Sequence, residues 1–498
     1  MFLPKRSTSS NARPEACNTG AAHDGPPLWC YQRDIEGVPV ERIWDYVVVG
    51  ATPAGVALAT GLSARSDLAI LLLEVGEFTT LPSAAVRPHV LEFDEWRALG
   101  ASGWAPEAVL PHFKRVETDD DFGSLRYHGS EGMQRLGRSP EARWTALDQG
   151  FRVAALEQGH PWAPDHNEPG ALGVSPLAWS VEEDGPAGPT VSMLRALNAA
   201  ANVEIRRIDE VDRVLWEGDR AIGLRIRSDS TWLEIDATEI LLCAGGIASP
   251  SILQRSGIGP TELLRSVGIK PLLDLPVGQG LQAHPQLRML NAFDTPVTAG
   301  FNGGMLARWN TALEGTSSGD LMAWTTNGAN AKDHGLVGAL AQVFSRGSVL
   351  VSGPDPRAAP LVEAQALSNS LDGYRFRLLY RHLCDLAARP SLARHLHAAH
   401  DINGEPWVLN RRETELENWL KSVVEPMDDY AGSCRMGQPG DPAAVVDGGG
   451  KVFGAQGLRV ADSSISPTLV RAAPLLTDVV IGSRMAQLII EERSALQG

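Results

Sequence analysis

The run Tyr46-Val47-Val48-Val49 is apolar and mostly β-branched without a polar break, the pattern of a parallel strand buried on both faces. The turn Gly50-Ala51-Thr52-Pro53-Ala54-Gly55 follows it. Val56–Leu62 then reads as a helix, and Leu68–Leu73 as a second buried strand ending at Glu74. This succession is a βαβ unit. Further strands at Val203–Arg206, Arg220–Ile226, Glu239–Cys243 and Leu458–Asp462 are expected to join the first one, at Ile43–Val49, and the second, with the last helix, Pro474–Arg493, packed on the sheet. Alternation in Gly347–Ser352 and Leu361–Gln365 predicts an antiparallel sheet elsewhere.

The 498 residues are enough for two or three domains with a large core. The 50 glycines and 33 prolines favour tight strand-to-helix passages over a helical bundle. A formal charge of −16 argues against a nucleic-acid partner, which needs basic patches. The absence of a long apolar run predicts no membrane span. Residues 1–44 read as a flexible arm, since Met1–Pro27 is rich in Ser, Asn, Gly, Ala and Pro and has no apolar period. Lys5 and Arg6 do not precede an apolar run, so no secretory signal is expected. Cys17, Cys30, Cys243, Cys384 and Cys434 are scattered without C-x-x-C spacing, which predicts a cytoplasmic protein with no disulfide framework and no metal site.

The βαβ unit carries candidate cofactor chemistry. Gly50 and Gly55 frame a turn that aims a helix N-terminus at a pyrophosphate, and Glu74 is spaced to meet an adenosine ribose. Thr52 stands where a second glycine would let the backbone approach the phosphates, and a β-branched side chain there is expected to crowd them.

Motifs further along resemble those of the glucose–methanol–choline (GMC) oxidoreductases. They are Phe93-Asp94-Glu95-Trp96, Gly103-Trp104, Val109-Leu110-Pro111-His112-Phe113 and His128-Gly129-Ser130-Glu131-Gly132. Ala244-Gly245-Gly246-Ile247-Ala248-Ser249-Pro250 runs into Ser256-Gly257-Ile258-Gly259-Pro260, with Gly246 as a departure from the family signature. Asp274-Leu275-Pro276-Val277-Gly278, His284-Pro285, Gly432-Ser433-Cys434-Arg435-Met436-Gly437 and Gly457–Ser464 complete the series in the family's order. The resemblance implies an α/β fold: a Rossmann-like FAD/NAD(P)-binding domain of the GMC type, and an α+β substrate domain with an antiparallel sheet. The first is expected over 45–144, 190–284 and 435–498, the second over 145–189 and 285–434. It also implies FAD as cofactor, with Glu74 and Asp462 matching family contacts.

Two departures weigh against that cofactor. The family's glycine-rich flavin loop is replaced by Leu81-Pro82-Ser83-Ala84-Ala85-Val86-Arg87-Pro88-His89, and no glycine falls between Glu77 and Gly100. The family's catalytic histidine is matched by Asp429, and its second polar active-site residue falls around Ala472-Ala473-Pro474, beside Arg471. A carboxylate in a closed pocket serves as acid or base, so Asp429 is the main proton-transfer candidate, the alternative being a solvated pair with Asp428. In an extended segment those two point to opposite faces. Tyr430 is a candidate acid or base, or else a packing residue. Arg87 and His89 either face the space of a flavin ring or lie on a surface turn set by Pro88. His284 matches a family landmark and is either catalytic or structural. Without flavin, Glu74 and Asp462 become helix-capping relics. Trp324 is expected to be pocket wall.

Three functions remain open at this point. The favoured expectation is a lyase or cyclase that requires no cofactor and carries out dehydration, conjugate addition or cyclisation on a large, apolar specialised metabolite. The alternative is an FAD-dependent alcohol oxidase or dehydrogenase, and the third is a non-catalytic binding partner.

Overall fold

β1 (Trp44–Val49) is central to its sheet because all but one of its residues are buried, its apolar side chains filling both faces. A computed structural model describes residues 42–76, 83–182, 185–188, 190–290, 304–327, 334–396, 398–409 and 411–497. Most of the expected N-terminal arm, Cys17, Cys30, Leu81 and Pro82 lie outside the described residues. β1 pairs in parallel with β2 (Ile70–Val75) and with Thr231–Leu242. Val203–Ile208 adds beyond β2, and Leu458–Val460 pairs with Thr231–Leu242, both again parallel. Arg220–Ser228 and Glu210–Glu217 extend the sheet as antiparallel strands, giving seven in all.

The first helix, α1 (Pro53–Ser63), has Thr52 as its N-cap and proline in its first turn, both favourable for helix initiation. The C-terminal helix, Leu475–Gln497, crosses α1 with almost no side chain between them. A Cβ on Gly482 would stand 2.0 Å from the Ala54 carbonyl oxygen, and one on Gly61 would stand 2.5 Å from the Ala486 Cβ. Only glycine permits this approach.

A second core forms on an antiparallel six-stranded sheet. Its order is Glu425–Pro426, Pro285–Leu290, His334–Leu340, Leu321–Asn327, Met305–Trp309, Gly173–Pro176. Helices Ala146–Glu157 and Ser370–Ala387 contribute Phe151, Leu379 and Leu383 to that core. Arg375 is wholly buried and ion-paired with Asp320 (3.2 Å) and Asp372 (2.6 Å), tying the second of these helices to the sheet region. Gly347–Leu350 and Leu361–Glu363 do pair antiparallel, but in a separate three-stranded sheet with Gln279–Leu281. Trp324 sits half-buried within Leu321–Asn327. The fold is therefore α/β, with a Rossmann-like sheet and a distinct antiparallel one.

Candidate active site

At the end of β1 the chain turns through Gly50 (φ +103°), where a Cβ would lie 2.6 Å from the Cys243 carbonyl oxygen. A Cβ on Gly55 would lie 2.0 Å from the Gly50 carbonyl, so both glycines are required by close packing. Thr52 holds the turn through its hydroxyl. Its hydroxyl donates to the Cys243 carbonyl (2.7 Å) and accepts from the Gly55 N–H (3.3 Å), so the side chain is folded back into the protein. Glu74, at the end of β2, accepts a hydrogen bond from the Ala51 N–H, and burial pushes its pKa up.

Asp462 closes the other side of this turn region. It accepts from Ser249 Oγ (2.5 Å), from the Gly245 N–H (2.8 Å) and from the Ser464 N–H (2.9 Å). It thereby ties the strand end after Leu458–Val460 to the start of helix Gly245–Arg255. A Cβ on Gly245 would meet no atom within 4 Å, so its backbone borders open space. Thr477 Oγ1 and the adjacent Asp478 Oδ1 are buried without a hydrogen-bond partner among the described residues, and the charge of Asp462 acts on Asp478. Burial, and then the charges of Asp462 and Asp429, push the Asp478 carboxyl well above its ordinary range, so it is a potential donor. Orphaned buried polar atoms beside an open backbone fit a bound polar group. Together with Glu74 and the Gly50–Gly55 turn, they fit a dinucleotide.

His284 and Asp429 meet in the interior. Asp429 and Tyr430 follow the short strand Glu425–Pro426, and the chain there alternates as an extended segment should, with Asp428 exposed and Asp429 buried. His284 Nδ1 is hydrogen-bonded to Asp429 Oδ2, and the His284 backbone N–H donates to Asp429 Oδ1 at 3.2 Å. The other ring nitrogen, Nε2, lies 3.1 Å from the Ala341 carbonyl oxygen. Both nitrogens therefore face acceptors, the pattern of an imidazolium. Burial alone would lower the His284 pKa, but the charge and hydrogen bond of Asp429 carry it above its ordinary value. Tyr430 is half-buried, and burial followed by Asp428 and Asp429 raises its phenol pKa. Its backbone presses on Gly246, where a Cβ would lie 2.3 Å from the Tyr430 carbonyl oxygen. That contact accounts for glycine at the position departing from the family signature.

Arg87 is neither on a surface turn nor beside this pair. It is 5% exposed, donates from Nε to Glu117 (3.2 Å) and from Nη1 to the Tyr127 carbonyl (2.6 Å). His128 bridges Glu117 (2.7 Å) and Asp165 (2.8 Å), while Arg138 binds Asp119 (3.0 Å) and Asp165 (2.7 Å). Burial opposes the charge on His128, yet its bonds to Asp165 and Glu117 raise its pKa to about 9. Glu117, Asp119 and His128 are close enough to hold a metal ion. Three cations already balance three carboxylates there, so the cluster is complete as an ion-pair network. His89 is half-buried: its Nδ1 accepts from the Leu91 N–H (3.2 Å), and burial, then Arg471 and Arg308, lower its pKa. It lines a small cavity with Arg308 and His166, two residues that sequence reasoning passed over. The available signal was a lone arginine in the apolar run Met305–Trp309.

Comparison with known proteins corrects the functional expectation. An oxygen-dependent choline dehydrogenase of Pectobacterium carotovorum subsp. carotovorum (strain PC1) is 30% identical over 538 aligned positions, covering 90% of this chain and 94% of the relative. That alignment is longer than the chain itself, so the relative has segments that are missing here. Pyridoxine 4-oxidase from Mesorbium loti superposes with a TM-score of 0.78 at 23% identity, covering 89% of this chain and 99% of that one. An Aspergillus oryzae RIB40 formate oxidase, in a structure concerned with FAD modification, superposes at 0.78 with 18% identity, covering 92% and 99%. Relatives named as redox enzymes overturn the expectation of a non-redox lyase or cyclase, and that of a chain requiring no cofactor. Among the described residues, no helix is long and apolar enough to cross a membrane. The family model for GMC oxidoreductases matches in two parts, N-terminal over residues 82–286 and C-terminal over residues 343–482, and the chain belongs to the GMC oxidoreductase family.

Proposed function

We propose that this protein is an FAD-dependent oxidoreductase that oxidises a CH–OH group of a small molecule. The observation that carries the reading is the placement of the buried His284–Asp429 pair next to the dinucleotide turn region. Tyr430, adjacent to Asp429, packs on Gly246, and Gly245 donates to Asp462. Bound FAD supplies the two-electron acceptor that such an oxidation needs. Glu74, Gly50, Thr52, Gly55 and Asp462 would hold it, the Thr52 contribution being the shape of the turn.

Asp429 takes the proton of the substrate hydroxyl. The His284 imidazolium compensates the buried negative charge of Asp429. The Ala341 carbonyl fixes the ring on its far side, so the carboxylate keeps one orientation. In this reading Tyr430, next to Asp429 in the chain, orients the substrate. Work divides along the two cores, with residues 45–144, 190–284 and 435–498 serving the dinucleotide, and 145–189 and 285–434 the substrate. The buried thiols of Cys243, Cys384 and Cys434 are in keeping with a cytoplasmic setting.

The test is the visible spectrum of the purified protein, before and after incubation with FAD, followed by anaerobic addition of alcohols. Flavin absorbance that one class of alcohol bleaches is expected. A colourless protein that takes up no FAD would overturn the reading.

A further inference from the structure

Two side chains in the first turn of the C-terminal helix, Leu475–Gln497, are unsatisfied. Thr477 is 3% exposed, and its Oγ1 has no hydrogen-bond partner among the described residues. Asp478 Oδ1 is sealed off in the same way. The second carboxyl oxygen, Oδ2, also lacks a partner there but is not sealed, and the residue as a whole is half-buried. Oδ2 is therefore the open end of the carboxyl.

What Oδ2 faces follows from how two helices run. The C-terminal helix lies parallel to α1: Gly482 packs on the Ala54 carbonyl, and Ala486, one turn on, packs on Gly61. Asp478 stands one turn before Gly482. The same step back along α1 from Ala54 leads to Gly50 and Ala51, in the turn between β1 and α1. Asp478 also acts electrostatically on Cys243, whose carbonyl closely approaches Gly50. Both helices thus begin at this turn, and the positive ends of both dipoles favour an anion there.

An ionised carboxylate would meet that anion with like charge. Burial, then the negative charges of Asp462 after strand Leu458–Val460 and of Asp429 after strand Glu425–Pro426, push the Asp478 carboxyl well above its ordinary range. The Cys243 thiol at the end of strand Thr231–Leu242 is itself pushed up and adds no charge, and no basic group among the described residues offsets the two acids. The dipole of its own helix favours ionisation of Asp478, but it works against burial and two full charges. The carboxyl is a neutral donor.

We propose that Asp478 belongs to the cofactor site as a hydrogen-bond donor, its carboxyl O–H donating to a pyrophosphate oxygen of bound FAD. The assignment rests on the FAD-dependent reading above and adds an acidic residue to the groups that hold the cofactor.

Titration calorimetry on the full chain, freed of flavin, with FAD, ADP and adenosine tests the assignment. Asp478→Ala should weaken FAD and ADP binding about tenfold each and leave adenosine unchanged, because only the first two carry the pyrophosphate. If that variant fails to fold, Asp478→Leu, which fills the space without a donor, carries the same expectation. Asp478→Asn keeps an N–H donor in the same shape and should hold FAD within about threefold of the wild type. FAD binding tightened about tenfold or more by Asp478→Asn would reveal a repelling carboxylate and overturn the proposal. So would an equal loss for adenosine. FAD uptake by the wild type with undiminished binding in the donor-free variant would sink this assignment alone, whereas no uptake by the wild type would sink the FAD-dependent reading with it.

Discussion

His284 and Asp429, 145 residues apart in sequence, form a buried ion pair in which the histidine reaches the carboxylate through both its ring and its backbone N–H. Asp429→Asn removes the negative partner that keeps His284 charged, so burial acts alone and the ring gives up its proton. We expect alcohol-driven flavin reduction to fall by about 100-fold or more, with flavin still bound. Stability should fall by about 3–5 kcal/mol, with the loss shrinking as rising pH discharges His284. Unchanged reduction rates in stopped-flow would show that Asp429 is not the base.

Gly246→Ala should act on the same segment indirectly. The new methyl would start 2.3 Å from the Tyr430 carbonyl, so the chain beside Asp429 has to move. A loss of about 1–3 kcal/mol and a reduced turnover are expected. Wild-type melting and turnover in this variant would mean that the contact is not tight.

Glu74→Gln should weaken FAD retention by about tenfold, since a charged hydrogen-bond acceptor becomes a neutral one. The ratio of flavin to protein absorbance after gel filtration measures it. Full occupancy in the variant would remove Glu74 from the cofactor site.

Thr52→Val keeps the branched shape and deletes the hydroxyl that caps α1 and meets the Cys243 carbonyl. A loss of about 1 kcal/mol is expected, with no change in FAD occupancy. A rise in occupancy would show that the hydroxyl had been obstructing the phosphates after all.

Stability should also respond to pH through His128. Its folded pKa of about 9 lies above the unfolded value of about 6.5. The contribution is therefore complete below about pH 6.5 and lost as pH rises towards about 9. Its size is on the order of 3 kcal/mol. Unfolding midpoints compared across that window should fall in the wild type and stay flatter in His128→Gln. An equal slope in both would assign the loss to other groups.

The parallel sheet was legible in the sequence because Tyr46–Val49 and Leu68–Leu73 are apolar on both faces, a pattern few other elements produce. The contrast between an exposed Asp428 and a buried Asp429 was legible as one option for an adjacent acidic pair. The partner of Asp429 was not, since side-chain pairing across the sheet of Pro285–Leu290 leaves no local trace at either end. The hydrogen bond of Thr52 was hidden for a related reason: its acceptor is the backbone carbonyl of Cys243, remote in sequence. Arg87 was hidden by its local setting, a proline-flanked loop that reads as surface until Glu117 and Tyr127 are brought to it.

The bare crossing of α1 with the C-terminal helix bears on how the protein is made. The first βαβ unit leaves the ribosome early, yet its helix rests on Gly482 and Ala486, and its sheet is extended by Leu458–Val460. That unit has to wait, unfinished, through the synthesis of some four hundred further residues. Its apolar strands are exposed to chaperones and to mispairing at least until Val203–Ile208 and Thr231–Leu242 emerge to pair with them. The packing of α1 is thus complete only once the C-terminal helix is in place.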